Sequence, residues 1–507
     1  MKKQTDSCPP ELPASILHNR CDPASLGFST TDELPDLQDV IGQPRALRAL
    51  ELGSEVAGAG YNIFVLGAPG SGRTTLSQEY LQRKAENEPV PDDWCYVFNF
   101  DNPHAPHALC LPAGQGQELR KDMQSLVTYC EREIPKAFES QEYIQDRDRI
   151  LNELKKTQED EFQQLQEHVG KFNFLLMRTS AGVVLTPSIQ GHPLETADVE
   201  KLSPEQREKF KELVVQLSAD VERTLNHLRE LGHTADQKLK ELHQKMITYI
   251  IEPMIRNLTE KYAPDPSATY SQTITAFLHA VQSDISTNSA QFKQGEVPEQ
   301  ALPQPAIQWS QRYAVNVLTD NCTSKGAPVI IESQPTYSNL LGRIEHEVVM
   351  GVARTDFTMI RPGVLHRANG GYLILPARDL LNNPYAWEAL KRVLRDGAIR
   401  MIELSNQMGL ISTPTLEPEP VPLQVKILLI GTPLLYHLLR SYDEDFSKLF
   451  KVQAEFATVM DRTAEAEHEY GLFIKSVLVD HHLPPFDHTA VARIIEQSSR
   501  LAEEVRP

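Results

Sequence analysis

Residues Tyr61-Asn62-Ile63-Phe64-Val65-Leu66 form an apolar run short enough for a strand, and its near-continuous hydrophobicity predicts burial on both faces. The spacing turns helical at once, with a helix predicted from Thr74 to Lys84, and another precedes the run at about 43 to 58, where Pro44 stands in the first turn. Trp94-Cys95-Tyr96-Val97-Phe98-Asn99-Phe100 is a second strand candidate ending in Asp101, so strand, helix and strand predict a βαβ unit with a parallel sheet. From about 115 to 305 the period changes. Leu151, Leu154, Phe162, Leu165 and Val169 make one helical stripe, and Phe210, Val214, Leu217, Val221, Leu225, Leu228 and Leu231 make another, opened by the capping signature Ser203-Pro204-Glu205-Gln206. Leu239, Leu242, Met246 and Ile250 begin a third, and Ile274, Phe277, Leu278, Val281 and Ile285 a fourth. Between the first two, Phe172 to Leu176 and Gly182 to Thr186 predict a small β-hairpin.

The α/β pattern returns near 306. Strands are predicted at Pro328 to Glu332, Gly371 to Leu375, Ile399 to Ile402 and Val425 to Ile430, and a helix over 384 to 396 stops at Gly397. Pro414 to Pro422 reads as an exposed proline-rich loop, residues 1 to 35 as an irregular lead-in, and 461 to 507 as mostly helical, ending with a helix from Val491 to Val505.

The chain has 507 residues, room for roughly three domains of about 150 residues each. A formal charge of −19 disfavours nonspecific nucleic-acid binding. Cys8, Cys21, Cys95, Cys110, Cys130 and Cys322 are scattered with no CxxC pair, which indicates neither a zinc site nor a disulfide framework and points to a reducing cytoplasm. No apolar run reaches the ~18 to 20 residues of a membrane span, and the polar start Met1 to Ser7 carries no apolar signal core, so no membrane partner is expected.

The chemistry concentrates at Gly67-Ala68-Pro69-Gly70-Ser71-Gly72-Arg73-Thr74-Thr75, between the predicted strand and helix. Glycines at 67, 70 and 72 let backbone N–H groups converge on a polyphosphate at a helix N-terminus, and Thr74 is the candidate Mg²⁺ hydroxyl. Arg73 stands where this loop ordinarily has lysine, a compact charge that reaches the β- and γ-phosphates. The expected cofactor is therefore ATP or ADP, weakly held, with the Mg²⁺ requirement open. His346-Glu347-Val348-Val349-Met350 lacks the second histidine of a zinc protease string, and His104, His107, His481 and His482 read as surface or loop residues.

The order of these elements, with Ile41-Gly42-Gln43-Pro44-Arg45-Ala46-Leu47, Pro335-Thr336-Tyr337-Ser338-Asn339-Leu340-Leu341-Gly342-Arg343-Ile344-Glu345 and Arg361 to Leu375, resembles the AAA+ ATPase region of Lon-type proteases of the archaeal branch and their bacterial Lon-like relatives. The resemblance covers about 36 to 110 and 310 to 505. It implies an α/β fold: an AAA+-like P-loop parallel sheet, a long coiled-coil-like helical insertion carrying a small β-hairpin, and a partial C-terminal helical small domain. The corresponding division is lead-in 1–35, core 36–117, insertion 118–305, core 306–460 and small domain 461–507.

In that family the strand after Asn-Gly-Gly ends in Asp-Glu, where the Asp holds Mg²⁺ and the Glu polarises water; the matching residues here are Pro376 and Ala377. Thr432 stands at a sensor-like position able to meet phosphate, and Arg440, Lys448 and Lys451 lie where an arginine finger is expected. Asp101 and Asp379 are alternative carboxylates that spacing does not select. The resemblance further implies a self-associated ring, protein substrates, and a Ser–Lys protease domain in the same longer chain beyond these residues; no catalytic residue is assigned within them. Three functions stay open: a substrate-handling region with degenerate ATP hydrolysis, an active ATPase remodelling protein or nucleic acid, and a pseudo-ATPase scaffold that binds a partner through its helical arm.

Overall fold

The computed structural model describes residues 20–37, 41–179, 182–189, 192–193, 204–288, 309–349, 352–402 and 416–502. The polar start Met1 to Ser7, Cys8, Ser203 of the capping signature and the Pro414-Thr415 start of the proline-rich loop lie outside them. The chain divides into two compact units, Met1–Gln117 with Asn316–Pro507, and Glu118–Val315.

The first unit is built on five parallel strands: β1 (Ile63–Leu66), β2 (Val329–Ile331), β3 (Tyr372–Pro376), β4 (Lys426–Gly431) and β5 (Val452–Glu455), in the spatial order β5-β1-β4-β3-β2. Successive side chains of a strand point to opposite faces. Phe64, Leu66, Leu373, Leu375, Ile427 and Leu429 enter one core, while Ile63, Val65, Tyr372, Ile374, Leu428 and Ile430 enter the other. Helices cover both faces, which is why these strands read as unbroken apolar runs rather than alternating ones. On the second face lie α1 (Pro44–Glu55), through Ala46 and Leu50, and α2 (Arg73–Ala85), through Leu81 and Ala85. On the first lie α3 (Ala377–Asn382), α4 (Ala386–Asp396) and α5 (Pro433–Tyr442), through Ala377 and Leu380, Ala389 and Leu390, and Tyr436 and Leu439.

The strand expected at Trp94 to Phe100 does not extend this sheet. Asp93–Val97 pairs antiparallel with His107–Leu111 and neighbours Val315–Thr319 in a separate three-stranded sheet, so the βαβ reading is corrected. The short connection decides it. Asn99 accepts the amides of Asp101 and Asn102 and donates to Ala105, folding a turn tight enough for a hairpin, whereas a parallel return needs a longer crossover.

The proline-rich segment is also not an exposed loop where it is described. Leu416 and Val421 are buried, Val421–Pro422 pairs with Ala398–Ile399, and the Glu417 and Glu419 amides donate to the carbonyls of His104 and Pro106. At the other end, the segment read as lead-in forms short 3-10 turns at Pro23–Leu26 and Thr31–Glu33. Cys21 and Leu26 share a core with Ile474 and Leu478 of α6 (Ala464–Asp480) and Val491 and Ile495 of α7 (His488–Leu501). The Thr31 amide bonds Phe486 and the His488 amide bonds Ser29, so the lead-in is laced to these helices by backbone as well as by apolar contact.

The second unit is helical, with long elements at Gln141–Gly170, Pro204–Tyr262 and Thr269–Thr287; the second, of 59 residues, is roughly 90 Å long at 1.5 Å per residue. Strands Phe174–Thr179 and Gly182–Ile189 pair antiparallel, with Phe174 opposite Pro187. Phe174 packs with Leu165, Val169, Leu217 and Val221, joining the hairpin to both long helices. Ile247, Ile251, Ile255 and Leu258 are buried at helical spacing, as are Ile274, Phe277, Leu278, Val281 and Ile285 on the helix that packs against theirs.

Candidate nucleotide pocket

β1 ends at Leu66 and α2 begins at Arg73, so the glycine-rich loop spans the turn between them. Gly70 and Gly72 have φ of 84° and 74°, values that L side chains rarely adopt. Gly67 is demanded by crowding: a Cβ there would lie 2.8 Å from Ser71 Oγ and 3.0 Å from Phe456 Cβ. The Ser71 hydroxyl is buried within the loop with no hydrogen-bond partner, although buried polar groups are nearly always paired. A phosphate oxygen is the natural partner, and the open space at Gly70 leaves room for its approach.

Arg73 does not project outward. Its Nη1 donates to the carbonyl oxygens of Gly67 and, at 2.5 Å, Gly431, tying the start of the loop to the end of β4. Burial pulls its pKa below the usual arginine value. Since arginine titrates far above neutrality, the charge stays and two carbonyl dipoles hold it.

Beside the loop lies a cavity of about 730 Å³, which brings together Pro69, Arg73, Thr74, Pro376, Arg378, Asp379 and Thr432 against Ile331, Ile374, Ile430 and the leucines of α5. Thr75 is exposed but is not among the residues lining it, and Ala68 is half-buried in the loop. Thr432 caps α5, its hydroxyl accepting the Leu435 amide at 3.4 Å, so the sensor-like residue already has a helix to serve.

The two positions where acids were expected part company. Pro376 lines the cavity, whereas Ala377 is 1 % exposed and belongs to the core of the opposite face, about 3.4 Å from where a Cβ on Gly431 would stand. Ala377 opens α3 but falls on the same side as Leu373 and Leu375 of β3, whereas Pro376 falls on the other. Asp379 shares the cavity with Thr74 from the first turn of α3, three positions past the end of β3; Asp101 is not among the lining residues. The donors offered to Mg²⁺ therefore reduce to the Thr74 hydroxyl and one exposed carboxylate, and with proline at the strand end the set does not fit a held ion. The loop fits polyphosphate.

The arginine-finger candidates have local partners. Lys451 donates to Ala59 and stacks over Tyr61, Lys448 pairs with Asp445, and Arg440 reaches the Tyr436 hydroxyl at 3.5 Å. His107 pairs with Glu419 at 3.3 Å, and His104 is exposed. Two features escaped sequence reasoning: the Gly431 carbonyl as an arginine acceptor, and a second cavity of about 260 Å³ lined by Ile41, Gln43, Val459, Met460, Tyr470 and Ile495. Ala457, which lines it, follows Phe456, whose amide bonds Leu66; Gln43 pairs with Ala457 and Gly42 lies against Met460 across its walls, and sequence spacing carries no trace of that.

Residues 325–457 match the family described as LonB-like, AAA domain; residues 93–126 match the Lon-like LonC helical domain, and residues 36–84 match magnesium chelatase, subunit ChlI. Together these matches support a Lon-like AAA+ region. A protein of Escherichia coli (strain K12) described as a Lon protease homolog is 26 % identical over 166 residues, which are 32 % of this chain and 27 % of the relative. The chain thus matches about a quarter of that relative's length. A crystal structure of NtrX from Brucella abortus covers 54 % of this chain and 57 % of its own at 13 % identity, and its TM-score of 0.21 is too low to bear on the fold. The magnesium chelatase match spans the glycine-rich loop, and the LonB-like match spans the strands β2 to β5.

Proposed function

We propose that this chain is the nucleotide-binding and substrate-handling region of a Lon-like ATP-dependent serine protease, in which the pocket holds nucleotide and turns it over near background. The family matches support an ATPase-type module in a Lon-like protein. The observation that carries the finer reading is the engagement of Arg73 by the carbonyls of Gly67 and Gly431. Phosphoryl transfer depends on positioning and charge stabilisation at the γ-phosphate, and here the loop's own cation is bound elsewhere. Binding is weak and little dependent on Mg²⁺. A ring of copies, protein substrates, and a protease domain in the same longer chain complete the reading.

Calorimetric titration with ADP and ATP, paired with a phosphate-release assay, tests it. Measurable binding with release at background is the expected result. Turnover on the order of 1 s⁻¹ overturns it. The second reading, an active ATPase, rests on Asp379 sharing the cavity with Thr74; if turnover is found, its loss in Asp379→Asn would make that carboxylate the working acid.

A further inference from the structure

We propose that the pocket is selective for a nucleoside diphosphate over the corresponding triphosphate, and that Arg73 is the residue that sets this preference. The inference rests on the nucleotide-binding reading above and names the ligand class of the same site.

The glycine-rich loop retains the groups that meet the inner phosphates: backbone N–H groups at the N-terminus of α2, the open approach at Gly70, and the buried Ser71 hydroxyl that has no partner. What has changed lies farther along the phosphate chain. In a loop with lysine, the ammonium reaches the β- and γ-phosphates. Here Nη1 of Arg73 gives its two N–H groups to two carbonyl oxygens, and swinging that nitrogen out to a γ-phosphate would strip both of them of their donor. An abandoned buried acceptor carries the full cost of its lost hydration.

The other groups around that space do not make up the deficit. Thr432 accepts the Leu435 amide with its hydroxyl and so brings one neutral O–H and no charge, and Pro433, first residue of α5, has no N–H. Pro376 and the apolar side chains of Ile374, Ile430 and Leu434 form the wall opposite. Arg378 also lines the cavity, but it is exposed and directly followed by Asp379, whose opposite charge shares the space. A third phosphate would bring added negative charge to apolar walls and carbonyl oxygens. A diphosphate ends before it meets them.

The test is calorimetric titration of the full chain with ADP and with β,γ-imido-ATP, which resists hydrolysis, each with and without Mg²⁺. Unmodified protein is expected to bind ADP at least about tenfold more tightly. Arg73→Lys, which puts the compact, flexible ammonium of an ordinary loop of this kind in place of the guanidinium, is expected to bring the two affinities within about threefold of each other. Its melting temperature serves as the check on folding. If the unmodified chain binds the triphosphate analogue as tightly as ADP, selectivity is refuted while nucleotide binding stands. If it binds neither, both fall. A ratio that persists in a folded Arg73→Lys protein overturns the assignment to Arg73. The comparison on unmodified protein needs no variant to fold.

Discussion

His366 is fully buried, and its Nδ1 faces the Gly363 amide at 3.4 Å, leaving Nε2 enclosed without a partner. Burial holds its pKa down at about 4, against 6.5 for an ordinary histidine. As pH falls from 6.5 to 4 the unfolded chain takes up this proton and the folded chain does not. Stability therefore declines across that window and levels off below it, by about 3 kcal/mol from this residue. Urea unfolding at neutral pH and near pH 4.5 should show a smaller loss for His366→Asn, which keeps an acceptor near Gly363, than for the unmodified chain; equal losses would exclude His366 as the source. The residue sits inside Arg361 to Leu375, one of the segments carrying the family resemblance, and nothing in that string says that its imidazole is sealed in the core. Arg73 has the same character. Its identity is plain in the sequence, but its two acceptors belong to residues 67 and 431, and only the pairing of β1 with β4 brings them together.

Among elements, β3 and α3 decide what the missing acids could have done. Because Pro376 lines the cavity and Ala377 enters the opposite core, restoring the two carboxylates has unequal consequences. Pro376→Asp places an acid at the N-cap of α3, a favourable position, and should change stability by no more than about 1 kcal/mol. Ala377→Glu forces a carboxylate among Phe64, Leu380 and Gly431 and should cost roughly 3 kcal/mol or more. Thermal melts of the two single variants check the contrast, and a similar small effect from both would show that Ala377 faces the pocket after all. The parallel α/β sheet was legible because its strands are apolar on both faces. The hairpin at Asp93–Val97 and His107–Leu111 was not, since the alternating, half-exposed strand His107–Leu111 is a weak signal beside the apolar run before it.

For the whole molecule, the two compact units suggest separate cooperative folding. Replacing residues 118 to 308 with a short Gly/Ser linker retains Val315–Thr319, which the three-stranded sheet requires, and should leave the first unit folded with a single melting transition. A chain without a cooperative transition would mean that the helical unit is part of the same core. Under the proposed function the shortened protein should also retain ADP binding and lose capture of unfolded protein, measured by pull-down with casein. Among the described residues no helix is long and apolar enough to cross a membrane.

By itself the sequence determined what depends on neighbours along the chain: the glycine turn between an apolar run and a helix, the helical stripes of 151 to 169 and 210 to 231, and the α/β character of the rest. Local sterics and the burial of periodic apolar faces account for these, and both are written in short windows. The tertiary structure alone decided which carbonyls hold Arg73, which face Ala377 takes, which sheet Asp93–Val97 joins, and that Cys21 and Leu26 close a core with Val491 and Ile495. Each of these turns on partners distant in sequence, whose meeting is set by strand order and by competition among alternative pairings rather than by the preferences of the residues themselves.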